Sequence, residues 1–161
     1  MEAREILTRF KEGKITIEEA EHYFRQEPFE EMEEYAKLDL HREVRSGFPE
    51  VIYSSGKADD HFVHIFQKLY EKNGEVMGTR ASRHQYELVK DLVPGVIYDE
   101  LSHIIKAEKK EKEHIGKIAV CTAGTADISV AEEAAQTAEY FGSNVERIYD
   151  VGVSGIHRLF S

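Results

Sequence analysis

Two short segments near the end of the sequence hold the side chains best suited to chemistry. The first, Thr122-Ala-Gly-Thr-Ala-Asp127, is a run of small residues with two hydroxyls and one carboxylate. The second, Gly152-Val-Ser-Gly-Ile-His-Arg158, carries a serine, an imidazole and a guanidinium. Together they offer acceptors for ribose hydroxyls, donors for a phosphate, and an imidazole able to move a proton near neutral pH. Each group also suits a plainer role. Asp127 can accept N–H bonds at a helix entrance, and His157 can lie on the surface of a following helix. The Gly-Thr-Ala-Asp turn is not the Gly-x-Gly-x-x-Gly dinucleotide fingerprint.

The elements that must position these segments form a strand-helix-strand unit. Ile118-Ala-Val-Cys121 is an unbroken apolar run, as in a strand covered on both faces. Ser129 and Glu132 have capping-box spacing, and Val130, Ala134, Ala138 and Phe141 follow on one helical face up to Gly142. A second strand over residues 145–151 runs parallel to the first if the crossover has the usual hand. Both segments then meet at the carboxyl edge of the sheet, where ligands of open parallel sheets collect. Cys121, inside the first strand, reads as a small buried core residue rather than a nucleophile.

Upstream, residues 1–34 read as a helical segment. Ile6, Leu7 and Phe10 have helical spacing before Gly13, Thr16 and Glu19 form a capping box, and an acidic stretch over 29–36 suggests a third helix. Residues 35–105 alternate strand-like and helical patterns, as in a small α/β domain. They include short strands near 38–53, 75–80 and 96–98. One helix is capped by Asp59 or Asp60 and buries Phe62, Ile65, Phe66 and Leu69, and another opens on a Ser82–Gln85 capping box. Residues 106–114 are almost wholly charged and can be a solvated helix with paired charges or a linker, either way without a core; the linker is placed at 106–116, followed by a second domain over 117–161. That last stretch falls short of the ~100–150 residues of a typical domain, so only the opening part of one is expected. Its uncovered sheet edge should leave it poorly folded alone or paired with another subunit.

Arg42, Arg45 and Lys57 can bind phosphate or carboxylate groups, and equally can be solvated charges around a turn. His61 and His64 stand three apart on a helix, but no acid-and-histidine set of metal-ligand spacing accompanies them, so no metal site is assigned. The formal net charge of −10 argues against a nucleic-acid partner. No apolar run approaches the ~20 residues of a membrane span, and the first residues lack a signal-peptide core. The single cysteine excludes an internal disulfide and suits a reducing cytoplasm.

Read together, Cys121-Thr-Ala-Gly-Thr-Ala-Asp-Ile-Ser-Val-Ala-Glu-Glu-Ala and Val145-Glu-Arg-Ile-Tyr-Asp-Val-Gly-Val-Ser-Gly-Ile-His-Arg-Leu closely resemble the LarB-type proteins. These are the carboxylase/hydrolase family of nickel-pincer nucleotide cofactor biosynthesis. Asp39-Leu-His-Arg-Glu-Val-Arg-Ser-Gly-Phe-Pro-Glu-Val-Ile-Tyr, with Gly56-Lys57, is similar to the family's N-terminal signature. The resemblance spans residues 35–161. It implies an α/β fold: a small N-terminal α/β domain followed by the first β-α-β unit of a doubly wound parallel sheet. That sheet would be of the PurE (aminoimidazole-ribotide carboxylase) type, which assembles into homo-oligomers.

The implied activity is carboxylation of the pyridinium ring of nicotinic acid adenine dinucleotide with carbon dioxide and hydrolysis of its phosphoanhydride. The products are pyridinium-3,5-biscarboxylic acid mononucleotide and AMP. The resemblance makes Gly124, Thr125, Ala126, Ser154, Gly155 and Arg158 substrate-binding, with Arg42, Arg45 and Lys57 added from the upstream signature. Asp127 and His157 become the catalytic groups. The family's nucleophilic cysteine is expected beyond the end of this sequence. Carbon dioxide or bicarbonate is a co-substrate, no tightly bound cofactor is expected, and magnesium is compatible but not called for by any residue. Two departures from the PurE pattern, Ala126 in place of a serine and a second loop longer by one residue, favour the LarB-type reading over a purine-pathway one.

Overall fold

A computed structural model of the chain describes residues 3–24, 29–32, 36–39, 47–108, 112–152, 155 and 157–158. Internal contacts divide the chain into two units, Met1–Glu50 and Val51–Ser161. The charged stretch over 106–116, read above as a linker, falls inside the second.

In the first unit, α1 (Ala3–Lys11) and α2 (Ile17–Phe24) make a helical hairpin that buries Ile6 and Ala20. Gly13, at φ +69°, closes α1, and the Lys14 N–H reaches back to the Arg9 carbonyl at 2.9 Å. The expected capping box opens α2. Thr16 N–H donates to Glu19 at 2.8 Å and Glu19 N–H to the Thr16 hydroxyl at 3.2 Å. The acidic stretch expected as a third helix is instead an antiparallel hairpin of β1 (Phe29–Met32) and β2 (Ala36–Asp39), with Phe29 opposite Asp39. Glutamates at 30, 31, 33 and 34 would have stacked like charges at i,i+3 and i,i+4 on a helix. Over Phe29–Met32 the backbone is extended instead.

The second unit begins with β3 (Ile52–Tyr53), α3 (Asp59–Asn73), β4 (Val76–Thr79), α4 (Arg83–Val89), β5 (Ile97–Asp99) and β6 (Ile104–Ala107). The strands form one mixed sheet in the order β3-β4-β6-β5; β3 lies parallel to β4 and the other pairs are antiparallel. Phe62, Ile65, Phe66 and Leu69 are the buried face of α3, as their spacing predicts. Its N-cap, however, is Ala58 with no side-chain cap, not Asp59 or Asp60. The aspartates sit one and two residues later, in the first turn, where carboxylates complement the helix dipole. The Ser82–Gln85 capping box forms as expected, and Gln85 Nε2 also donates to the buried carbonyl of Ser54 at 3.0 Å.

Charge at Lys106 and beyond hides β6 from a reading of the sequence. Yet Ile104, Ile105 and Ala107 are buried, and β6 is an interior strand of the sheet. Lys106 reaches Glu108 at 2.7 Å. Lys112 packs over the Tyr140 ring, 3.8 Å from its centroid, and donates to the Tyr140 carbonyl at 2.8 Å. Its ammonium also lies 2.9 Å from Glu75 Oε2, a charge contact without hydrogen-bond alignment. So the aliphatic stems and paired heads of lysines complete the packing where apolar residues run out.

A parallel β-α-β unit follows: β7 (Ile115–Cys121), a 3₁₀ turn (Thr125–Asp127), α5 (Ile128–Tyr140) and β8 (Ser143–Ile148). The buried residues of α5 are Ala131, Ala135 and Tyr140, one step out of phase with the stripe read from the sequence; Val130 is 56% exposed. Tyr140 sets that phase by joining Met77 and Ile104 in a buried cluster on the four-stranded sheet. The Ser129–Glu132 capping box does not form. The helix starts earlier, with Asp127 at the N-cap, so Ser129 lies inside it and its hydroxyl donates to the Leu101 carbonyl at 2.6 Å. Nor is β7 covered on both faces: Ile115 is 71% and Ile118 43% exposed, and among the described residues its strand partner is β8 alone. Among the described residues, no helix is long and apolar enough to cross a membrane.

Arg147 fastens β8 to α5. It donates twice to Glu139, at 2.6 and 2.9 Å, and once to Glu132, at 2.9 Å. Those bonds push the guanidinium pKa up, and the bond from Arg147 holds the Glu139 carboxyl below its ordinary value. A carboxylate depressed on folding stabilises above its unfolded pKa and loses that contribution as pH falls through the folded one. Stability followed by urea unfolding should therefore fall as pH drops below about 4.5, the ordinary glutamate value. Arg147→Met should flatten that acid limb. Gln85→Ala should cost about 2 kcal/mol at neutral pH, because the Ser54 carbonyl and the Ser82 N–H both lose their partner.

Candidate functional site

Parallel pairing brings the ends of β7 and β8 side by side, and their loops are hydrogen-bonded to each other. The Thr122 N–H donates to the Ile148 carbonyl at 3.1 Å, and the Val151 N–H to the Thr122 carbonyl at 2.9 Å. The buried Thr122 hydroxyl accepts the Asp150 N–H at 3.0 Å. One residue further on, the Gly152 N–H donates to the Ala123 carbonyl at 2.9 Å. Gly152 is required here: a Cβ would stand 2.4 Å from the Ala123 oxygen. The two chemistry-bearing segments are thus clasped together.

On the first loop, Gly124 precedes the 3₁₀ turn in extended backbone, and Thr125, Ala126 and Asp127 are exposed. Asp127 occupies the N-cap of α5, but its carboxylate makes no cap hydrogen bond. The plainer role for it, closing the helix entrance, is not the one the geometry displays. On the second loop, Gly155 is half-buried between its neighbours: a Cβ there would lie 2.9 Å from the His157 ring and 3.1 Å from Arg158 Nε. His157 is exposed. Arg158 donates to Asp150 Oδ1 at 2.7 Å and, at 3.5 Å, to the Gly152 carbonyl.

Seven of the expected residues, Gly124, Thr125, Ala126, Asp127, Gly155, His157 and Arg158, thus lie on the two loops that leave the clasp. Ser154, Arg42 and Arg45 lie outside the described residues. Lys57 is exposed on the turn between β3 and α3, and no hydrogen bond or ion pair among the described residues joins it to the clasped loops. Cys121, read as buried, is exposed; it is the last residue of β7, where the strand gives way to the loop. Among the described residues no three or more His, Cys, Asp or Glu side chains are arranged to hold a metal ion.

Two features escape a reading of spacing. Asp150 takes a left-handed backbone, φ +60°, which lets its N–H meet Thr122 while its carboxylate meets Arg158. Aspartate is one of the few residues that tolerates this conformation, so Asp150 directly before Val-Gly at a strand end was the available signal. Behind the loops, Glu132 accepts from both Arg147 and the Tyr149 hydroxyl, each at 2.9 Å. Burial, with Glu132 beside it, pushes the Tyr149 pKa up and keeps the phenol a donor.

Comparison with known proteins gives two matches. The sequence profile of the LarB/PurE-like N-terminal domain matches residues 29–110, a stretch that ends before β7 and the clasped loops. An uncharacterized protein of Methanocaldococcus jannaschii, MJ0165, is 39% identical over 168 aligned residues, covering 98% of this chain and 64% of that protein. The chain therefore spans less than two thirds of the length of this relative.

Gly152→Ala should open the clasp. The backbone must shift away from the Ala123 oxygen, at a cost of about 1–3 kcal/mol. Amide hydrogen exchange at residues 151 and 152 should accelerate while that of α3 stays unchanged. Protection equal to that of the native chain would show that the loops do not depend on this contact.

Proposed function

The chain belongs to the LarB/PurE-like N-terminal domain family, and from that membership we propose that it forms part of a carboxylase/hydrolase acting on a dinucleotide. The substrate in this reading is nicotinic acid adenine dinucleotide. Carbon dioxide becomes a second ring carboxylate, and water splits the phosphoanhydride, leaving pyridinium-3,5-biscarboxylic acid mononucleotide and AMP. The observation that carries the proposal is the clasp of Thr122 and Ala123 with residues 150–152, at the strand ends from which the loops bearing Asp127, His157 and Arg158 continue.

The reaction explains why such a site is needed. The pyridinium ring is electron-poor and does not attack carbon dioxide. Addition of a thiolate to the ring creates an enamine-like carbon that does. Loss of the ring proton and expulsion of the thiolate then restore aromaticity. Cys121 is not assigned that thiolate role. Within this chain, Arg158 and the small-residue turns suit phosphate, Asp127 suits ribose hydroxyls, and His157 suits proton movement. Assembly of several copies through the β-α-β unit belongs to the same proposal, as does a cytoplasmic setting.

A second reading is a nucleotide-binding or oligomerisation module that does not itself turn over. Incubation with nicotinic acid adenine dinucleotide and ¹³C-bicarbonate, followed by chromatography and mass spectrometry, separates the two. Labelled biscarboxylated mononucleotide with AMP is the product expected of a polypeptide that also carries the ring-activating cysteine. Binding without AMP would favour the module. Turnover of aminoimidazole ribotide instead would move the chain to the purine-pathway carboxylases. Where AMP forms, His157→Ala should slow its release by about 10²-fold, the common size of a general acid–base contribution, with AMP affinity within about threefold of native. An unchanged rate would return His157 to a surface role.

A further inference from the structure

We propose that Asp150 is a positioning residue, whose carboxylate holds the Arg158 guanidinium over the second glycine turn and so presets it as the anion-binding group of the crevice. The inference rests on the nucleotide-site reading above. Asp150 is tied at both ends: its N–H donates to the buried Thr122 hydroxyl at 3.0 Å, and its Oδ1 accepts from Arg158 at 2.7 Å. It adopts φ +60° to do so, a conformation that costs a non-glycine residue energy and persists only where surroundings enforce it. The residue lies beyond β8, which ends at Ile148. In that conformation its N–H meets the Thr122 hydroxyl while its carboxylate meets Arg158.

The consequence is entropic as well as electrostatic. Arginine has a long, rotamer-rich side chain, and freezing it at the moment of binding subtracts from affinity. A guanidinium already held by one charge-assisted bond loses less freedom when an anion arrives. The pair is about two-fifths exposed, 38% for Arg158 and 43% for Asp150, so a ligand can reach it from solvent. Through Thr122 the same aspartate is coupled to the first loop, so a ligand on that loop and a ligand on Arg158 meet one preset frame.

The test uses Asp150→Asn and Asp150→Gly, because asparagine and glycine both accept a left-handed backbone and neither adds strain. With AMP as probe, titrated by NMR into the 161-residue chain, Asp150→Gly should weaken binding about tenfold and Asp150→Asn by less, the neutral bond being weaker. Arg158→Ala should weaken it as much as Asp150→Gly, and the double variant Asp150→Gly/Arg158→Ala no more than Arg158→Ala alone. Additive losses, or unchanged or tighter AMP binding in Asp150→Gly, would overturn the proposal. The ¹⁵N relaxation of Arg158 Nε, recorded without AMP, reads the positioning by itself: the side chain should be ordered in the native chain and mobile in Asp150→Gly. If native protein binds no AMP but Arg158 loses order in the variant, positioning stands and the nucleotide reading fails. Arg158 order unchanged by the substitution would sink the proposal whatever AMP does.

Discussion

Parallel strands cannot be joined by a tight turn, and this one constraint shapes the second half of the molecule. A crossover of a dozen or so residues is needed, and α5 supplies it. Because both strands then run the same way, both carry their C-terminal loops to the same edge. The loops meet through four hydrogen bonds around Thr122 and Ala123, with no room for a side chain at Gly152. The candidate site is therefore a product of topology first and of residue chemistry second. Thr122 explains how the two are joined. Its backbone extends the ladder, while its buried hydroxyl takes an N–H that the ladder leaves behind.

The same helix ties that unit to the four-stranded sheet. Tyr140 inserts beside Met77 and Ile104, Ser129 bonds the Leu101 carbonyl, and Arg80 pairs with Glu133 at 2.6 Å. Lys112 closes the far end over the Tyr140 ring. Charged residues here finish a core instead of dissolving it. The apolar stem and the paired head of a lysine can do both, at modest net gain per pair. For this reason a charged stretch in the sequence is a poor guide to where one packed body ends.

Local rules were legible where nothing distant competes with them. The stripe of Phe62, Ile65, Phe66 and Leu69 and the capping boxes at Thr16 and Ser82 follow from short-range spacing, and each is present. Ser129 and Glu132 have the same spacing and form no box, since Glu132 is claimed by Arg147 and Tyr149 and Ser129 by Leu101. Those partners lie 15 to 28 residues away in sequence. The phase of α5, the interior place of β6 and the exposure of Cys121 fail for the same reason: each depends on which surfaces the fold brings together. At the site, the parallel strand edge and its two loops were legible from glycine and small-residue placement. Asp150 was not, because its role lies in one backbone angle.

In a chain this acidic, the proposed site for a phosphorylated ligand would have to work against the protein's own field. At a net charge of −10 the protein repels anions at long range. That repulsion is damped over a Debye length of about 10 Å at 0.1 M salt, so affinity is decided by groups within reach of the ligand. Near the clasped loops those groups are mostly dipoles: N–H bonds of small-residue turns and the start of a thirteen-residue helix. The nearby arginines are both engaged, Arg147 by Glu139 and Glu132, Arg158 by Asp150. A site of this kind gains little from steering and must rely on fixed geometry. Strained backbone at Asp150, the close Gly152–Ala123 contact and the buried Thr122 hydroxyl all serve fixed geometry, at the one edge where the fold can offer it.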